Sequence, residues 1–196
     1  MRRQRNLLGP QGMGGMVSLW GASSLIKSVQ RGTLTLAANT ISNTATITSV
    51  DTTNSMLVFG QNNTNYSNLE WRYQMGRLAL TNATTVTLSR TATGLVGDLI
   101  GCTYEVIEFL PGILKSIQRG TVTQSGALTV NATITEVNTS NATCTYLGLT
   151  GDSNFYAGYT QQITLALLNA TTVQVAMYWS GGGVSETIGY QVAEFY

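Results

Sequence analysis

The chain has 196 residues, of which 43% are hydrophobic and only 10% charged, with a formal net charge of +1 and no histidine. Against a usual charged fraction of roughly a quarter, such a surface is polar but hardly charged, and it suits a protein packed among neighbours more than one dispersed alone. The charge balance gives no electrostatic reason to bind nucleic acid or an acidic membrane, and the missing histidine removes Ser-His-Asp and Cys-His catalysis together with the usual zinc sites.

Residues 1–24, MRRQRNLLGPQGMGGMVSLWGASS, carry Arg2, Arg3 and Arg5 at the tip, then glycines and scattered apolar side chains. GPQGMGG breaks the continuous apolar stretch that a secretory signal needs. No apolar run reaches the roughly eighteen residues of a membrane-spanning helix. The segment is expected to be an extended N-terminal docking arm whose Leu7, Leu8, Met13, Met16, Leu19 and Trp20 gain order against a partner's groove.

Strands follow. IKSVQRGTLTLAAN opens them, with Lys27, Val29, Arg31 and Thr33 on one face and Ile26, Ser28, Gln30 and Gly32 on the other. ATITSV (Ala45–Val50), MLVFG, TTVTLSR and CTYEVIEF continue the period-two pattern of β-branched and aromatic residues, separated by Asn, Gly, Asp and Ser clusters. LPGI, with Pro111 and Gly112, marks a short stiff junction.

Beyond the junction the chain repeats itself. LKSIQRGTVT answers IKSVQRGTLT with the two lysines 88 positions apart; ATITEV and a second NATTV follow at an offset of 87, and YQVAEF answers YEVIEF at 86. Four blocks in the same order imply a duplicated unit, and a repeat of this size is a domain and not a solenoid turn. The expected fold is all-β: two tandem homologous antiparallel β-sandwich or barrel domains, residues 25–110 and 113–196, each of six or seven short strands. In each unit the first strand should pair with the last, bringing Arg31 to Glu108 and Arg119 to Glu194 as structural ion pairs; a ligand-binding Gln-Arg is the functional alternative.

Cys102 aligns with Ile188 and Cys144 with Leu57, so each cysteine reads as a small buried hydrophobe, with a disulfide between the units left open. Asp51, Asp98 and Asp152 are isolated and lack calcium-loop spacing, and Glu105 and Glu108 point to opposite strand faces. Glycosidase chemistry would therefore need acids from different strands. GGG at Gly181–Gly183 has no following Lys-Ser or Lys-Thr and reads as a turn. The Asn-x-Ser/Thr triplets follow from composition. No catalytic residue, metal site or cofactor is expected, and the chain does not read as an enzyme. Aromatics cluster in NYSNLEWRY (Trp71, Tyr73) and NFYAGY (Phe155, Tyr156); packing explains them, and the alternative is an exposed patch recognising a partner or a host-surface glycan, as a carbohydrate-binding module would.

The frame IKSVQRG, TATITSV, NATTVTLSR and YEVIEF, present twice between Leu25 and Tyr196, resembles a small domain of virion-associated proteins of tailed bacteriophages and prophages. LKSIQRG and YQVAEF depart from it conservatively. The resemblance supplies no catalytic residues. What it implies is a virion component, assembled in the host cytoplasm and partnered by capsid or tail subunits and by copies of itself. A capsid decoration or cement protein is the leading expectation, and a tail or baseplate accessory or attachment protein is the alternative.

Overall fold

A computed structural model describes residues 25–37, 40–60, 63–64, 75–91, 99–125, 127–151, 163–177 and 185–196. Among them all regular structure is strand: β1 (Ile26–Leu36), β2 (Ser42–Thr46), β3 (Ser55–Phe59), β4 (Asn63–Thr64), β5 (Arg77–Asn82), β6 (Thr85–Ser89), β7 (Leu99–Phe109), β8 (Leu114–Ser125), β9 (Thr129–Thr133), β10 (Ala142–Gly151), β11 (Ile163–Asn169), β12 (Thr172–Met177) and β13 (Ser185–Phe195). The all-β class read from the alternating pattern is the one observed.

In the first half, β7 is the centre of a sheet with β1 on one side and β3 and β4 on the other, all antiparallel. The second half repeats these pairings: β13 lies between β8 and β10. Registers correspond, Gly32 facing Tyr104 as Gly120 faces Tyr190, and Leu57 facing Val106 as Cys144 faces Val192. Beneath each sheet lies a three-stranded antiparallel layer, β2-β6-β5 in the first half and β9-β12-β11 in the second. Its hairpin is the NATTV block. The Asn82 side chain accepts from the amide and hydroxyl of Thr84, and Asn169 does the same for Thr171, an Asx turn that reverses the chain in two residues.

The expected strand ATITSV is strand only over its first two residues, Ala45 and Thr46. β2 stops at Thr46, and Ile47 and Val50 instead donate their amides to the turn carbonyls of Thr84 and Ala83, which lets both side chains close the end of the core. Ile134 and Val137 do the same on Thr171 and Ala170. Ile47 and Val50 are buried with Thr48 and Ser49 exposed between them, a three-residue spacing that a flat strand would send to opposite faces and that the arch turns to the same side.

One core packs between each sheet and its three-stranded layer. Leu34, Leu36, Leu57, Cys102, Tyr104 and Val106 meet Leu78, Leu80, Val86 and Leu88 in the first; Val122, Leu149, Ile188, Tyr190 and Val192 meet Val173, Val175 and Met177 in the second. The cores exchange a residue: Leu147 of β10 is buried in the first, and Met75 in the second. The sheets also run together, because β5 pairs β10 at Arg77–Gly148 and creates a six-stranded order β2-β6-β5-β10-β13-β8. Gly148 has φ +95°, and a Cβ there would collide with the Gly76 carbonyl, so glycine is needed where the two backbones meet. Pro111 and Gly112 turn the chain between β7 and β8; Gly112 takes φ +83°, the left-handed conformation a Pro-Gly turn requires.

Candidate functional site

The letters written twice are the natural place to seek function, and most are spent on the fold. Lys27 Nζ reaches Glu108 Oε1 at 2.9 Å, Ser28 Oγ reaches Oε2 at 3.2 Å, and the Asp51 amide donates to Oε1 at 2.9 Å. In the second half Lys115, Ser116 and the Asn138 amide hold Glu194 at 2.9, 3.2 and 2.9 Å. Both glutamates are buried. Burial alone would raise the Glu108 carboxyl, but the Asp51 amide, Lys27 and Ser28 together outweigh it and hold the group below its usual range. The Asn138 amide, then Lys115, lowers Glu194 likewise. Gln30 clamps Thr48 through both its amide and carbonyl, and Gln118 clamps Thr135. Gly32 and Gly120 lie under the Tyr104 and Tyr190 rings, where a Cβ would strike the tyrosine side chain.

First and last strands do pair, yet the expected ion pairs Arg31–Glu108 and Arg119–Glu194 are corrected. A register irregularity between Ile26 and Ser28 turns two consecutive residues, Lys27 and Ser28, toward the same carboxylate, which strict alternation forbids. Lysine therefore takes the glutamate in both halves. Arg31 instead faces Glu105 across the ladder and binds it at 2.6 Å on the surface.

Arg119 has a different fate. Its guanidinium donates to Gln191 Oε1 at 3.1 Å, to the Thr52 carbonyl at 3.2 Å and to the Ser55 carbonyl. Gln191, fully buried, accepts from the Leu57 amide at 3.1 Å and donates to the Leu57 carbonyl at 3.3 Å, capping the outer edge of β3 as an additional strand would. Beside these bonds Met56, Leu114 and Ala193 form an apolar cluster with Phe109, Ile117 and Phe195, the two phenylalanine rings packing edge to face at 5.9 Å. The joint between the halves is thus built from the frame's arginine. Neither Gln191 nor the β3 edge stands out in the sequence; the available signal was that Glu105 is answered by an uncharged Gln191.

Where the first half meets the second, β10 supplies Tyr146, packed on Phe59 at 5.5 Å, and Leu147. The corresponding seam of the second half is an open groove of 390 Å³ lined by Cys144, Tyr146, Leu149, Ile163 and Leu165. Cys102 is buried and Cys144 half-buried; both are free thiols, pushed up by burial to about 12 and about 11, so neither is an activated nucleophile. Among the described residues no group of acids and cysteines could hold a metal, and no helix is long and apolar enough to cross a membrane. The arm residues Leu7, Leu8, Met13, Met16, Leu19 and Trp20, and the aromatic patch Trp71, Tyr73, Phe155 and Tyr156, lie outside the described residues. No protein-family model, curated protein or solved structure matches this chain.

Proposed function

We propose that the chain is a structural protein of a tailed-phage particle, a capsid decoration or cement protein made of two duplicated β units and docked through its N-terminal arm. The observation that carries an architectural role is the use made of the repeated frame. Its lysine, serine, glutamine and glutamate are consumed in bonds that hold each half together, its glycine leaves room for a tyrosine ring, and the second arginine binds the halves to each other. Supporting it is a surface with little charge and with large apolar side chains left exposed, among them Leu25, Ile26, Leu128 and Leu168. The phage setting rests on the resemblance of the frame. Many copies on one particle would supply avidity without high affinity for each arm.

The test adds purified protein to particles assembled without it, then pellets and images them. The full chain is expected to co-sediment and to add regular density to the head. A variant lacking residues 2–20 is expected to lose most of that binding. Normal decoration by the truncated chain would remove the arm from the mechanism, and failure of the full chain to bind any part of the particle would remove the virion reading itself.

A further inference from the structure

The contact between the halves runs in one direction. Arg119 and Gln191 of the second half bond to Thr52, Ser55 and Leu57 of the first. Were the halves related by a two-fold axis, the counterparts Arg31 and Glu105 would meet Thr139, Ala142 and Cys144 in return. They do not: the Arg31 side chain is 65% exposed and bonds to Glu105. A heterologous contact of this kind leaves one donating face and one accepting edge unused, on opposite halves, and a further copy can extend it.

Both leftovers are visible. On the accepting side, Cys144 stands opposite Val192 as Leu57 stands opposite Val106, so the Cys144 amide and carbonyl point away from β13 as those of Leu57 point away from β7. Among the described residues that side of β10 is paired only at Gly148. The apolar groove of Cys144, Tyr146, Ile163 and Leu165 adjoins it. On the donating side lie Arg31, Glu105 and Ile107, with Ile26 41% exposed where its counterpart Leu114 is 5% exposed. Equivalent residues touch each other at Phe59–Tyr146 and Phe109–Phe195, which places the axis relating the halves close to these rings.

We propose that the Arg31–Glu105 face of one copy docks on the β10 edge of a second copy of this chain, joining copies head to tail. Arg31 donates to the carbonyls of Thr139 and Ala142, and Glu105 accepts from the Cys144 amide. Closure after four units is a dimer and after six a trimer. Glu105 has no N–H for the Cys144 carbonyl, so the contact between chains is weaker than the one within the chain. The proposal deepens the architectural reading and rests on it, but a chain that binds particles as a monomer would keep that reading and sink this one.

The experiment is mass photometry and sedimentation velocity of the full chain across a concentration series. Wild type is expected to form concentration-dependent assemblies. Glu105→Gln, which restores the missing donor, is expected to lower their dissociation constant about five- to tenfold. Arg31→Glu is expected to disperse them while leaving the thermal melt near that of wild type, since Arg31 is on the surface. Three results overturn the proposal: wild type and Glu105→Gln both monomeric throughout, an assembly that Arg31→Glu leaves intact, or assembly by Glu105→Gln alone, which would make Glu105 the group that keeps copies apart.

Discussion

The central strands β7 and β13 share a register and differ in what lies on their outer face. On β7 that face carries Thr103, Glu105 and Ile107, exposed or half-buried; on β13 the same positions are Gly189, Gln191 and Ala193, all buried. Every change is toward a smaller or uncharged side chain. Gly189 has the Arg77 side chain and Leu147 against it, so that a Cβ would come within 3.0 Å of Arg77, and a threonine there would have to displace both. One fold covered by a neighbour and the same fold left uncovered thus differ little in backbone and most on the strand face that acquires the neighbour.

Substitutions at equivalent positions sharpen this comparison. The largest effect is expected from Leu114→Ala, which removes a 5%-exposed side chain from the joint and should cost about 2–4 kcal/mol in urea unfolding, whereas Ile26→Ala at the uncovered position should cost less than about 1 kcal/mol. Next, Arg119→Ala strips donors from the Thr52 and Ser55 carbonyls and is expected to cost about 1.5–3 kcal/mol, against about 0.5 kcal/mol for Arg31→Ala with its exposed pair. Equal losses at the two arginines would break the comparison.

Where the halves agree, they should titrate together. Both Glu108 and Glu194 are held below the usual carboxyl value of 4.5 in the fold, so their contribution is complete above that pH and lost as the pH falls through their lowered values. A melting temperature flat near neutrality and declining below about pH 4.5 is expected. Glu108→Gln and Glu194→Gln should each shallow the decline by a similar, smaller amount, measured by differential scanning calorimetry.

The duplicated order of blocks, the all-β class and the pairing of first strand with last were legible, because each depends on local chemistry or on periodicity. The partner of each glutamate was not, because a one-residue irregularity near Ile26 puts Lys27 and Ser28 on the same side and no periodic pattern encodes that. ATITSV read as strand throughout because its β-branched residues suit a strand, while the three-residue spacing of the buried Ile47 and Val50 belongs to an arch. The joint was hidden for another reason: burial of both faces of β13 leaves no alternation, and only comparison of TEI with GQA across the repeat betrays it.

Leu147 and Met75, each lodged in the opposite core, bear on how such a chain can be taken apart. Cut at the Pro111–Gly112 turn and expressed as fragments, either piece would carry a hole where the other's side chain belongs, so neither is a self-sufficient building block. The two should melt in a single calorimetric peak, and mixing the severed pieces should restore what each lacks alone.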